Sequence, residues 1–321
     1  MGTVLRTPEW LTELGHGVWC IDTGYQRPGL AAAYLIVDDA QAAFVDTGTA
    51  HSVGRLLDAL RRVGCRPDEV QWVCPTHVHL DHAGGAGALM RHLPRARVVV
   101  HPRGARHLID PARLEAGVRA VYGDARFERL FGGIVPVPAD RVVEAPDGTE
   151  LPLGGRRLLF LDTPGHALHH YSVWDPVSRG FFTGDTFGLA YAEVACADRP
   201  FVFPTTTPVQ FDPDAWRSTL RRYARYAPSR MYLTHFGMVR EVAALSSDLG
   251  RRIVALERMA LDIGVPDATA LREPMARYLL DELRACGATV DPEQAHAVFA
   301  MDLELNAQGL AVWLERRYTP R

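Results

Sequence analysis

The chain has 321 residues, 47% of them hydrophobic, enough for one large domain with an appendage or two modest domains. A formal net charge of -3 and a pI near 6.5 supply no overall basic field, so a nucleic-acid partner is not favoured. No apolar run is long enough to span a bilayer, and Glu9, Glu13 and His16 stand where a signal peptide needs an apolar stretch, so the reading is a cytoplasmic protein with no membrane partner. Cys20, Cys65, Cys74, Cys196 and Cys286 are odd in number, scattered and never in a CxxC pair, and are read as free, mostly buried thiols.

Along the chain, Ala32 to Val37 and Ala42 to Val45 read as two strands around an Asp38-Asp39 turn, the second ending in Asp46-Thr47-Gly48. Val53, Leu56, Leu57, Leu60 and Val63 share one helical face, with Ser52 as N-cap and Gly64 just past the end. Val70 to Cys74 is the next strand and stops at Pro75. The segment from Thr76 to His82 follows, then Gly84, Gly85 and a helix toward His92. Arg97 to Val100 reads as a strand and residues 102 to 131 as helical material. Arg156 to Leu161, Tyr171 to Trp174 and Gly180 to Thr183 are later strands, each delivering a polar loop. Asp212-Pro213 opens a helix to about Tyr226, and Met231 to Thr234 is a last short strand.

Beyond His235 the pattern turns entirely helical. Val242, Leu245, Leu249, Ile253, Leu256, Ala260 and Ile263 keep helical spacing until Gly264 and Pro266. A second helix spans Leu271 to Cys286, and a third runs from Asp291-Pro292 toward Arg316 with a weak point at Gly309. The expected division is residues 1–237 as a catalytic domain and 238–321 as a helical extension, which either caps the site or forms a homodimer interface.

His77, His79, Asp81 and His82 fall within six positions between an apolar strand and a glycine-bearing helix start. Imidazole and carboxylate donors together suit zinc, and also iron or manganese. In an extended segment, residues two apart point the same way, so His77 and His79 can grip one ion while Asp81 and His82, past the bend, serve a second.

The segment Thr76-His77-Val78-His79-Leu80-Asp81-His82, followed by Thr163-Pro164-Gly165-His166, Thr183-Gly184-Asp185 and Leu233-Thr234-His235-Phe236-Gly237, resembles the signature of the metallo-β-lactamase superfamily across about residues 16 to 237. The resemblance implies an α/β fold, the αββα sandwich of that family, here with its C-terminal all-helical extension. It further implies two divalent ions, zinc foremost, with His77, His79 and His166 on the first, Asp81, His82 and His235 on the second, and Asp185 bridging. A carboxylate between two dications also offsets their repulsion. Asp46 matches a position that supports the ligand loop from behind, its competing reading being a solvent-facing turn residue; His170 matches a supporting histidine, while His169 has no assigned role. The remaining histidines, His16, His51, His92, His101, His107 and His296, lie outside the motifs.

Two ions sharing one solvent molecule can hold it as hydroxide at neutral pH. The function this implies is hydrolysis of an ester, thioester or lactone-type carbonyl of a small-molecule substrate, with Asp81 or Asp185 accepting a proton. The similarity is greatest to a glyoxalase-II-like subgroup: some true β-lactamases carry cysteine where Asp185 stands, and flavin-linked diiron proteins carry glutamate where His79 stands. The competing readings are a phosphodiesterase or nuclease, an iron persulfide dioxygenase and a sensory protein of low turnover. The loop from Phe187 to Pro208 leaves the bridging carboxylate and is expected to form an apolar substrate wall, the alternative being an irregular connection packed on the core.

Overall fold

The computed structural model describes residues 8–319. They form two sheets, one of seven strands and one of six, together with ten α-helices. The chain separates into two compact units, one built from the residues up to Asp162 with His169–Gly184, the other from Thr163–Leu168 with Asp185 onward.

The first unit begins with the antiparallel strands β1 (Leu11–Gly15), β2 (Val18–Asp22), β3 (Ala32–Asp38) and β4 (Gln41–Val45). The β3–β4 hairpin closes through Asp39 and Ala40, both at positive φ, the pairing that matches strand twist in a two-residue turn. Helix α1 (Val53–Arg62) then crosses over to β5 (Val70–Cys74), parallel to β4. Two short helices, α2 (Leu80–Ala83) and α3 (Ala86–Met90), lead to β6 (Arg97–Val100), parallel to β5. Next come α4 (Ala105–Ile109), α5 (Ala112–Tyr122) and α6 (Asp124–Phe131), and β7 (Val142–Glu144) completes the sheet in parallel with β6. Leu35, Phe44, Leu56, Leu60, Val73, Leu89 and Leu108 form the core between this sheet and its helices.

The second sheet contributes β8 (Thr149–Leu153), β9 (Arg156–Asp162), β10 (Tyr171–Asp175) and β11 (Gly180–Gly184) to this unit, all antiparallel. The sheets meet where the Tyr34 and Phe182 rings pack 5.2 Å apart, and the Tyr171 hydroxyl donates to the Val99 carbonyl at 2.8 Å. The buried Arg156 guanidinium joins strand ends by reaching Asp38 at 3.2 Å, Asp175 at 3.0 Å and the His16 carbonyl at 2.9 Å.

The second unit holds α7 (Pro213–Ala224), the antiparallel pair β12 (Arg230–Leu233) and β13 (Gly237–Val239), and three long helices: α8 (Val242–Ile263), α9 (Ala268–Ala285) and α10 (Pro292–Tyr318). Asp212 caps α7 through the Ala215 amide at 3.0 Å, with Pro213 at the first position, as the sequence predicts. The expected weak point at Gly309 does not interrupt α10. A Cβ there would lie 1.4 Å from the Thr206 carbonyl oxygen, so glycine marks a close approach of the 187–208 segment and not a helix end.

The Phe201–Phe203 part of that segment packs as a connection, while Thr205 and Thr207 reach His166. Phe201 and Phe203 are buried, with the Phe203 ring 5.0 Å from Phe299 of α10. Arg252 of α8, itself buried, lies 3.9 Å from the Phe201 ring centroid and donates to the Val202 carbonyl at 2.6 Å. Phe201 and Phe203 thus face the tail helices instead of forming the expected substrate wall.

The free-thiol reading is corrected at two positions, because Cys196 and Cys286 are disulfide-bonded with Cα atoms 5.3 Å apart. Ninety residues separate them, so their pairing leaves no spacing signal. Among the described residues no helix is long and apolar enough to cross a membrane.

Candidate metal centre

The carboxyl ends of the parallel strands β4 and β5 place the first group of polar side chains, the end of an α/β sheet where ligands commonly bind. Asp46, immediately after β4, is fully buried and held at φ 58, so the solvent-facing alternative does not apply. Its Oδ1 accepts from the Thr76 amide at 2.7 Å and hydroxyl at 2.9 Å, and its Oδ2 lies 2.9 Å from His82 Nδ1. The Thr47 amide and hydroxyl donate to the His82 carbonyl at 2.7 and 2.8 Å. The Asp46 carboxylate thus holds the imidazole through Nδ1, and Nε2 of His82 is the nitrogen turned to the donor group, 3.9 Å from Asp81 Oδ2.

His79 is the N-cap residue of α2, which fixes the turn between His77 and Asp81. The His77 ring lies 4.4 Å from that of His79 and 4.1 Å from that of His82. His170 stacks on His77 at 5.0 Å. His169 lies 5.8 Å from His79 and 6.3 Å from His107, whose imidazole is pushed toward the neutral form by burial and by Arg106.

A second group is positioned by the Pro-Gly-His turn. Gly165 has φ 138, and a Cβ there would stand 2.5 Å from Cβ of Trp216 on α7, so only glycine admits the turn this close. The Trp216 indole donates to the Thr186 carbonyl at 2.7 Å, and the Thr219 hydroxyl donates to the Pro164 carbonyl at 2.7 Å. His166 Nδ1 lies 3.1 Å from the Thr205 carbonyl and 3.2 Å from the Thr207 hydroxyl, so the ring is held through Nδ1 and turns Nε2 toward Asp185. That Nε2 is 3.2 Å from Asp185 Oδ2, while His235 Nε2 is 3.7 Å from Asp185 Oδ1.

The donor atoms of His77, His79, His166 and Asp185 lie within 4.8 Å of one another, and those of Asp81, His82 and His235 do likewise. Nitrogen and carboxylate donors of this kind fit a borderline divalent cation. The hydrogen bonding adds an independent reason. His82 and His166 are each held at Nδ1 by an oxygen and turn Nε2 toward the carboxylate of a donor group, the orientation in which an outer partner presents a ligating imidazole. His51 and His101 are engaged elsewhere, with the Glu128 carbonyl at 3.0 Å and with Asp162 at 3.1 Å.

Sequence reading places Thr205 in the Phe187 to Pro208 loop without the role its carbonyl takes, and misses Asn306. Asn306 of α10 accepts from the Thr206 amide at 2.6 Å, donates to the Pro204 carbonyl at 3.0 Å and accepts the Thr206 hydroxyl on its own carbonyl at 2.9 Å. It therefore fixes the strip of backbone whose Thr205 carbonyl orients His166. A backbone acceptor has no residue-type signature, and an asparagine inside a helix carries no signal on its own.

Among curated proteins the chain is 28% identical over 229 residues to a metallo-beta-lactamase fold-containing protein of Sulfurisphaera tokodaii, covering 70% of this chain and 80% of that protein. It is 24% identical over 242 residues to an N-acyl homoserine lactonase of Bacillus thuringiensis, covering 74% and 83%. A crystal structure of a metallo-beta-lactamase family protein from Thermus thermophilus has the same fold over 95% of each chain, with a TM-score of 0.64 at 22% identity. The family model of the metallo-beta-lactamase superfamily matches residues 27–235, a span that includes both His/Asp groups. The chain therefore belongs to the metallo-beta-lactamase superfamily, whose members are mostly metal-dependent hydrolases.

Proposed function

We propose that the protein is a dinuclear metal-dependent hydrolase acting on an ester, thioester or lactone-type carbonyl of a small molecule, with zinc as the first-choice metal and iron or manganese as alternatives. The observation that carries this reading is the placement of Asp185, whose two carboxylate oxygens face His166 and His235, members of the two separate donor groups. In this scheme His77, His79 and His166 hold one ion, Asp81, His82 and His235 the other, and Asp185 is shared.

When bound, such ions supply Lewis acidity, polarising a carbonyl and making water more acidic at neutral pH. The chain's own residues do the rest. Asp46 and the Thr205 carbonyl hold His82 and His166 through Nδ1, so that both present Nε2. Asp81, partly exposed with Oδ2 turned toward His82, is placed to take a proton from water and return it to the leaving group. The relationship to an N-acyl homoserine lactonase supports a carbonyl substrate, and the glyoxalase-II-like branch is part of the same proposal.

The test combines metal analysis with turnover. Purified protein should carry about two divalent ions per chain and hydrolyse at least one ester, thioester or lactone in a panel that also includes a bis-aryl phosphodiester. Turnover of the phosphodiester alone, or unimpaired turnover by metal-free protein, would refute it.

A further inference from the structure

The first unit contains a cavity of about 710 Å³, of the size that takes a small molecule. Its wall draws on the β2–β3 loop, the start of α1 and helix α6, and carries Arg55, Arg126 and Arg129 with no carboxylate among its lining residues. Arg55 is tethered and partly neutralised, donating to the Asp22 carbonyl at 2.9 Å and lying 3.7 Å from its carboxylate, which leaves Arg126 and Arg129 as the wall's available charge. Arg126 and Arg129, one turn apart on α6, are exposed. The acids of the same helix are engaged away from them, since Arg119 pairs with Asp124 at 3.1 Å and with Glu128. Thr23, Thr49 and Ser52 add small polar side chains to the floor.

A wall segment of the cavity is bonded to the His82 turn: beside Thr49, the Gly48 carbonyl accepts from the Gly85 amide at 2.9 Å and the Thr47 amide donates to the His82 carbonyl at 2.7 Å. Tyr25, in its wall, and Tyr122, under Arg126 at 5.2 Å, both have their phenols pushed up by burial and then by the nearby Asp81 carboxylate.

We propose that this cavity is the subsite for an anionic group, a carboxylate or a phosphate ester, carried by the molecule hydrolysed at the candidate metal centre, with Arg126 and Arg129 as its recognition residues. Its role in substrate choice rests on the hydrolase reading; the anion binding itself does not. Arginine matches both anions through its planar fork, and the absence of acid from the wall leaves that positive charge available to the ligand.

The test uses metal-loaded protein and two probes, glutarate and glycerol 3-phosphate, titrated calorimetrically into wild type, Arg126→Gln and Arg129→Gln. Both substitutions lie on an exposed helix face, and unchanged thermal midpoints check that the fold is kept. The proposal expects each change to weaken binding by about fivefold or more and to reduce its salt dependence. Loss confined to glutarate identifies a carboxylate, and loss confined to glycerol 3-phosphate identifies a phosphate. No binding, or equal affinity in all three proteins as expected for anions attached only to the metals, overturns the subsite. A second arm compares matched aryl esters with and without a terminal carboxylate. Turnover without preference for the charged ester removes the subsite and leaves the hydrolase standing; absence of any ester turnover removes the hydrolase and leaves the calorimetry to judge the subsite.

Discussion

Oδ2 of Asp46 lies 2.9 Å from Nδ1 of His82, and both side chains are fully buried. One carboxylate thus fixes the ring of a candidate ligand and, through its other oxygen, the backbone of Thr76 beside His77. Asp46→Ala removes both supports and is expected to weaken divalent-metal affinity by about 10- to 100-fold. Competition with a chromogenic chelator measures this directly, and an affinity within about twofold of wild type would show that Asp46 does not support the ligand.

Asn306 acts at greater distance on His166. Asn306→Ala leaves the Thr206 amide and the Pro204 carbonyl without their side-chain partner in a buried setting, at about 1–3 kcal/mol each. The expected result is lower stability together with weaker metal binding. Asn306→Asp keeps an acceptor for the Thr206 amide but turns a buried carboxylate on the Pro204 carbonyl, and should lose at least as much stability at neutral pH. A variant that loses stability but keeps its chelator-competition curve would separate α10 from the metal centre.

At Gly309 two effects compete. Alanine would favour the helix by about 1 kcal/mol over glycine. Its Cβ, however, would meet the Thr206 carbonyl at 1.4 Å, and crowding of a packed site costs about 1–3 kcal/mol. The contact is with backbone, which cannot swing aside, so Gly309→Ala should lower the urea midpoint; a rise would show that the loop yields.

Acid sensitivity is expected at Arg156. Its hydrogen bond holds the Asp38 carboxyl below the ordinary 3.8. The unfolded chain then binds that proton more readily than the folded one, so this contribution is intact above pH 3.8 and is lost as pH falls through the folded value. Arg156→Met should remove that part of the acid limb. It also strips a partner from Asp175, which is completely buried but keeps amide donors at Val177 and Ser178. Breaking a buried pair costs about 3–5 kcal/mol, and those amides place the expected loss near the lower end. Denaturant melts at about pH 7 and about pH 3.5 test both parts, and equal losses at the two values would contradict the assignment to Asp38.

Reduction of Cys196–Cys286 releases a link spanning 90 residues. Loops of that length correspond to about 2–5 kcal/mol. The Cys196→Ser and Cys286→Ser variants should therefore melt earlier than wild type under oxidising conditions and match it in reductant.

The donor residues are legible in the sequence because they occur in short motifs where chain geometry is local: His77 to His82 occupy one strand-to-helix turn, His166 and Asp185 follow turn glycines, and His235 sits between a short strand and Gly237. The long tail helices are equally legible, since Leu245, Leu249, Ile253 and Leu256 repeat at helical spacing over many turns. Strands β1, β2, β7, β8 and β13 escape reading. They are three to five residues long, and β8 contains Pro152 and alternates exposed with partly buried positions, too few to establish a period. The burial of Asp46 and the partners of Gly309 depend on segments far apart in sequence, and no local pattern encodes them.

Phe201, Val202 and Phe203 have no shelter of their own: Arg252, Phe299 and the Asn306 clamp form the roof over them. A shortened protein lacking α8 to α10 would bare a contiguous oily strip and invite clumping before any question of turnover arose. Domain swaps among relatives should consequently exchange loop and tail together, as lock and key cut from one blank.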